Sequence, residues 1–242
     1  MIGRVVLAVL LAGIAAGLVM GVIQHVRLTP LILEAEAFEQ AGNTAGHSHG
    51  VATAEPAQPE SDGHDHDHGE AWMPENGWQR TVATTVTAAM TGAGFAAILA
   101  GLSLVSGLPI TRRNGVVWGL CGFLAVTLAP SVGLPPELPG MAAADLFARQ
   151  VWWAGTIAVT AAGIYLIATQ ATATALVLAA VLIVAPHVIG APIAPPGEGI
   201  VPAELVARFV TNSIAANAVF WCFIGLFLGL VLDRTAKDIY AT

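Results

Sequence analysis

Charge is what this sequence has least of. Asp, Glu, Lys and Arg make up 10% of its 242 residues, where a water-soluble domain carries roughly 25%. Hydrophobic residues make up 56% and the mean hydropathy is +0.74, so most of the chain is suited to lipid rather than water. The formal charge of -7 is concentrated between Glu34 and Glu75; it describes that segment and implies nothing about acidic substrates. There is no basic tract, which excludes the electrostatic footprint of nucleic-acid binding. There is no GxxxxGK phosphate loop, so no nucleotide is bound in that manner, and no HExxH zinc-protease motif. Cysteine is nearly absent too. Cys121 and Cys222 both lie in apolar runs without CxxC spacing, which reads as free thiols packing as small hydrophobes rather than as a disulfide or redox pair.

What is present is long apolar runs. A transmembrane helix needs about 20 predominantly apolar residues, and the runs Val5 to Ile23, Thr81 to Leu108, Val116 to Val132 and Phe209 to Leu232 qualify. The stretch from Val151 to Ile193 is too long for one span and divides near Thr169-Gln170-Ala171-Thr172 into a helical hairpin. The expected fold class is therefore all-α, a polytopic transmembrane bundle of about six helices. Residues 1–26 form the first helix, 27–79 an extracytoplasmic segment with a His-rich loop, and 80–242 a bundle of about five helices. Five helices in total result if the first run is a cleaved signal peptide, which Arg4 and the apolar core allow. The core is long for that, however, and the nearest small-x-small site, Ala35-Glu36-Ala37, lies well beyond it. Gly13, Gly17 and Gly21 also recur every four residues, on one helix face where a second helix can approach closely. We expect the first helix to be retained.

Lys and Arg mark cytoplasmic loops. Arg4, the turn containing Arg112 and Arg113, and Arg234 with Lys237 all fall on one side of a six-span model. That side is expected to be cytoplasmic, with both termini inside and the loop outside. Arg27, Arg80, Arg149 and Arg208 are exceptions, each near an outer helix end with Asp or Glu close by in the loops.

Between Gly42 and Gly69 lie His47, His49, His64, His66 and His68, the last three in Asp62-Gly63-His64-Asp65-His66-Asp67-His68. Imidazole nitrogen suits zinc, copper, nickel and iron, and carboxylates add oxygen ligands. Histidines two apart project to one side of an extended chain. The remaining Gly, Ala, Pro, Ser and Gln predict a loop that is disordered without metal. A solvated charged linker with no specific role is the plainer reading. The absence of Cys argues against a dedicated Cu(I) site.

Further polar residues fall at the outer ends of the predicted helices. His25 follows the first helix and His187 closes the fifth, beside Pro186, which is expected to interrupt its helix and free backbone carbonyls. Ionisable groups at this depth are costly and point to function, although a single interfacial histidine also serves as an amphipathic anchor. Glu34, Glu137, Asp145 and Glu204 are candidate ion ligands, although with Glu36 such carboxylates more often solvate loops or partner Arg27, Arg149 and Arg208. Trp72, Trp78, Trp152 and Trp153 read as aromatic-belt anchors. Asn212 and Asn217 read as interhelical hydrogen-bonding groups, with a pore-lining role open.

Several of these segments together resemble the CbtA family of proposed cobalt transporter subunits. They are Gln24-His25, Thr29-Pro30-Leu31-Ile32-Leu33-Glu34-Ala35-Glu36, the His/Asp loop leading to Trp78, and Leu128-Ala129-Pro130 through Gly140. Arg149-Gln150-Val151-Trp152-Trp153, Pro186-His187-Val188-Ile189-Gly190-Ala191-Pro192 and Val201-Pro202-Ala203-Glu204-Leu205 complete the set. The resemblance spans nearly the whole chain. It implies a bacterial inner-membrane protein, a small single-span partner subunit with its own histidines, and a link to cobalt supply.

The function expected is uptake of divalent transition-metal ions, Co2+ favoured and Ni2+ or Zn2+ possible, with capture by the loop and passage through the bundle. An accessory metal-binding or metal-sensing subunit serving a separate permease is the alternative from another class. A non-transport reading makes His25 and His187 axial haem ligands, which requires that they face each other across a cavity. No enzymatic activity is expected.

Overall fold

The computed structural model describes residues 2–46, 74–195 and 199–240, with side chains over 2–41, 74–195 and 199–233. Among these residues all regular structure is helical. Helix α1 (Ile2–Ile23), a π-helical turn (Gln24–Leu28) and α2 (Thr29–Gly46) form one rod, and α3 (Trp78–Ser106) forms the next. Helix α4 (Gly115–Gly122), a second π-helical turn (Phe123–Leu128) and α5 (Ala129–Gly133) form a third, followed by α6 (Leu146–Thr169), α7 (Ala173–Ile189) and α8 (Ala203–Tyr240). Five of these six rods are long and apolar enough to cross a membrane, which makes this a multi-pass membrane protein. The exception, α7, has 17 residues; at about 1.5 Å per residue it spans about 26 Å, the short end of what crosses a bilayer.

The hairpin divides where the polar tetrapeptide predicts. Helix α6 ends at Thr169 and α7 is capped by Thr172, whose hydroxyl accepts from the Ala175 amide at 3.3 Å. The first rod differs from the sequence expectation of a helix ending at residue 26, because it continues through Pro30 to Gly46. Proline lacks an amide hydrogen and its ring crowds the carbonyl four residues back. Both π-helical turns lie just ahead of such a proline, Pro30 and Pro130, and the wider turn relieves the clash. Nearby hydroxyls satisfy carbonyls within these turns: Thr29 donates to Gln24 at 3.1 Å and Ser131 to Thr127 at 2.6 Å. Leu28, Leu31 and Ala35 are buried, so the rod keeps an apolar stripe on the bundle past its lipid-like run.

Two glycine seams hold the helices together. Lipid offers no hydrophobic drive for helices to associate, so close van der Waals packing through small residues takes its place. Gly13 meets Gly92, Gly17 meets Ala88 and Ala89, and Gly21 meets Thr85, so α1 and α3 run antiparallel with backbones nearly touching. This is the face on which the four-residue glycine repeat predicted a neighbour. The sequence reading missed the second seam, in which Gly115 and Gly119 of α4 pack against Gly225 and Gly229 of α8. Helix α8 packs against both α1 and α4, with Trp221, Ile224 and Leu228 fully buried. Helices α6 and α7 pair with each other beside α5.

The antiparallel order gathers α2, the start of α3, the 134–145 connection, the end of α7 and the start of α8 at one end of the bundle. Segment 47–73 joins Gly46 to Pro74 at this loop end. The 107–114 turn, with Arg112 and Arg113 exposed, and the 170–172 turn lie at the other end.

Candidate functional site at the loop end

Glu36 of α2 and Arg80 in the first turn of α3 meet through both carboxylate oxygens, with Arg80 Nη1 to Glu36 Oε2 at 3.1 Å and Nη2 to Oε1 as the second prong. Arg80 Nη1 also donates to Asn76 Oδ1 at 2.6 Å. A planar guanidinium paired two-pronged with a carboxylate fixes orientation as well as distance. This pair bridges the two helices from which segment 47–73 departs and to which it returns.

His25 stands next to that bridge. It is exposed on the first π-helical turn, and its Nδ1 lies 3.3 Å from the hydroxyl of Thr81. That hydroxyl donates to the Gly77 carbonyl at 3.1 Å, so its oxygen is left to accept from His25 Nδ1–H. This assignment, made from the hydrogen-bond network, leaves Nε2 with the lone pair that a metal ion takes.

The carboxylates divide into engaged and open. Glu137 accepts from Arg149 Nη2 at 2.7 Å, and Asp145 caps α6 by accepting from the Ala148 amide at 2.9 Å. Glu34 faces Arg208 at 4.0 Å with both side chains about half exposed, and Glu204 is exposed in the first turn of α8. Between the second π-helical turn, α5 and α6 lies a cavity of about 380 Å³, lined by Thr127, Ser131, Glu137, Arg149, Gln150 and Trp153 among others. The proline-rich segment and the Arg149-Gln150 segment thus meet around one space.

His187 sits in the last turn of α7, half-buried, its ring edge-on to Trp152 with centroids 6.1 Å apart. Its Nδ1 is buried without a hydrogen-bond partner. Trp152 Nε1 donates to the Pro186 carbonyl at 3.3 Å, a more specific task than anchoring at an interface. Pro186 does not end its helix: α7 continues to Ile189, because the proline falls in the final turn, where only the Leu182 carbonyl loses its donor.

The two histidines belong to different parts of the bundle. The π-helical turn bearing His25 packs on α1, α2 and α8, whereas α7 packs on α6 and α5. Axial haem ligation would need these separately packed elements to face each other across a cavity, and the cavity beside α5 and α6 is lined by neither histidine. Among the described residues no group of three or more His, Cys, Asp or Glu converges on one point. His47, His49, His64, His66 and His68 lie outside the described residues, as does Glu198. Cys121 and Cys222 are free thiols, as expected. Asn212 and Asn217 bond within their own helix rather than between helices, donating to the Arg208 carbonyl at 2.8 Å and the Ser213 carbonyl at 2.9 Å. The role of Thr81 beside His25 was missed, because no local pattern pairs residues 56 positions apart.

The family model described as "probable cobalt transporter subunit (CbtA)" matches residues 2–233. Neither the curated proteins nor the solved structures include a match to the chain.

Proposed function

From the premise that the chain belongs to the CbtA family of probable cobalt transporter subunits, we propose that it is the membrane subunit through which a divalent transition-metal ion is taken up, with Co2+ favoured over Ni2+ and Zn2+. The histidines and aspartates of segment 47–73 concentrate the ion at the loop end, which faces outward in a bacterial inner membrane with both termini cytoplasmic. His25 receives it, Glu34 and Glu204 assist its approach, and His187 acts on its passage. Glu137 and Asp145 act through the structures they hold. A small single-span subunit completes the assembly.

The observation that supports this reading best is the position of His25. It lies one hydrogen bond from Thr81, next in sequence to the Arg80 that ties α3 to α2. A loop departing and returning within reach of this pair can deliver loop imidazoles to an ion already bound by His25 Nε2. One histidine cannot hold an ion selectively, but together with loop ligands it can. The membrane potential suffices as a driving force: a dication entering the cell gains about 4.6 kcal/mol per 100 mV, from about 2.3 per elementary charge.

One observation favours the accessory reading. The described residues form no three-ligand cluster of their own, as a subunit that hands ions to a separate permease would not need one. Flux of Co2+, Ni2+ and Zn2+ into proteoliposomes containing the purified chain, alone and with its partner subunit, separates the two. Potential-driven flux supports uptake. Metal binding without flux in either preparation supports the accessory role.

A further inference from the structure

Below His25 the bundle opens into a cleft of about 540 Å³ between α1, α3 and α8. Its walls carry Gln24, Thr84, Thr87, Thr91 and Asn217, and none of the described residues that line it is charged. The three threonines recur at helical spacing on one face of α3. A threonine in a membrane helix ordinarily satisfies its hydroxyl on the carbonyl four residues back, as Thr85, Thr156, Thr169 and Thr211 do here. Thr84, Thr87 and Thr91 make no such bond. Gln24 Oε1 is buried without a partner, and Asn217, its amide nitrogen committed to the Ser213 carbonyl, has its side-chain oxygen left over. Unmatched polar groups at membrane depth cost several kcal/mol each in hydrocarbon, so this arrangement calls for water or a polar cargo.

The cleft has a floor. Phe95 lies tilted against Trp221, ring centroids 4.7 Å apart, and meets Phe220 edge-on at 6.4 Å, and Phe220 and Trp221 are both buried. From Ala83 to Phe95 the cleft follows α3 for about 18 Å, somewhat over half of a hydrocarbon core about 30 Å thick.

We propose that this cleft is a water-filled vestibule that carries the hydrated dication from the His25 rim to the middle of the membrane, with Phe95, Phe220 and Trp221 as the closed gate beneath it. The proposal rests on the uptake reading above. Amide and hydroxyl oxygens accept hydrogen bonds from the polarised waters of a metal-aquo ion without replacing them. Conduction needs sites favourable enough to enter and weak enough to leave, and a lining of neutral oxygens meets that condition where a carboxylate cage would trap the ion.

The test begins with water access, which needs no transport. In a full-length chain with Cys121→Ser and Cys222→Ser, held in lipid nanodiscs, single cysteines replace Thr87, Thr91, Val86 or Ala97. All four positions are exposed, but Thr87 and Thr91 line the cleft and Val86 and Ala97 do not. A cationic methanethiosulfonate reagent should modify Thr87→Cys and Thr91→Cys at least ten times faster than Val86→Cys and Ala97→Cys, and Co2+ should slow the first pair. Equal rates overturn the vestibule, leaving the cleft filled by lipid or by a partner helix. The second arm is transport by the near-isosteric triple variant Thr84→Val, Thr87→Val, Thr91→Val. A tenfold or greater loss of maximal Co2+ flux is expected. Wild-type flux in the triple variant overturns the vestibule while uptake stands, whereas no metal flux in the wild-type assembly overturns the uptake reading itself.

Discussion

Glu36 and Arg80, 44 positions apart in sequence, are joined by a two-pronged ion pair that closes the base of the segment carrying the histidines. Each side chain is 26% exposed, so the pair contributes only about 1 kcal/mol to stability. Its consequence is positional: it ties α2 to the first turn of α3 beside His25. Glu36→Gln should leave folding and the maximal uptake rate close to wild type and raise the half-saturating metal concentration about threefold to tenfold. Exchanging the charges, Glu36→Arg with Arg80→Glu, should recover most of that affinity. A concentration dependence unchanged in Glu36→Gln separates the clamp from capture.

Thr81 tests the tautomer of His25. Thr81→Val removes the oxygen that accepts from Nδ1–H, and loss of such a support for a ligating histidine typically weakens metal affinity about 10- to 100-fold. Thr81→Ser keeps the oxygen and should behave as wild type. Metal titration of both variants, read alongside His25→Ala, checks this. If Thr81→Val titrates as wild type while His25→Ala does not, Nδ1 needs no such support.

The glycine seam carries a stability prediction with an internal control. A side chain at Gly92 falls on the Gly13 carbonyl, whereas one at Gly94 meets nothing within 4 Å. Gly92→Leu should separate α1 from α3 at a cost of at least about 1–3 kcal/mol, seen as a lower unfolding temperature or loss of membrane-inserted protein. Gly94→Leu should be neutral. Equal behaviour of the two variants removes the seam from the account.

Metal capture by the loop should depend on pH with a fixed sign. Imidazole ligates only when neutral, and an unperturbed histidine titrates at about 6.5, so protons compete with the ion. A peptide spanning residues 42–69 should bind Co(II), Ni(II) or Zn(II) at about pH 7.5 and release most of it by about pH 5. Constant affinity across that range would identify ligands other than the histidines.

Much of the fold could be read from the chain because lipid imposes simple rules. Apolar run length located the helices, the polar Thr169–Thr172 break located the hairpin, and the spacing of Gly13, Gly17 and Gly21 located the face that α3 covers. The end of the first rod could not be read, since Thr29-Pro30 looks like a terminus until the widened turn and the buried Leu31 and Ala35 are seen. Partner choice was hidden as well. Arg149 near Glu137 was a visible option, but Arg80 selects Glu36 across the loop only once α2 and α3 are packed. Thr84, Thr87 and Thr91 lay in plain view at helical spacing. Their significance depends on hydroxyls that skip the usual carbonyl bond, and a sequence does not display that.

The most direct measurement is uptake rate against external Co2+ at equal membrane expression, for the chain with His47, His49, His64, His66 and His68 all replaced by Ala and for His25→Ala and His187→Ala. On the proposed reading the loop supplies ions, so its fivefold variant should fail at low metal and recover most of its rate at saturation. The helix-borne histidines act on passage, so their variants should keep a reduced maximal rate at any concentration, with His25→Ala the more severe. The opposite pattern, with wild-type maxima in the single variants and no transport at any concentration in the loop variant, would contradict the account and make the loop itself the essential element.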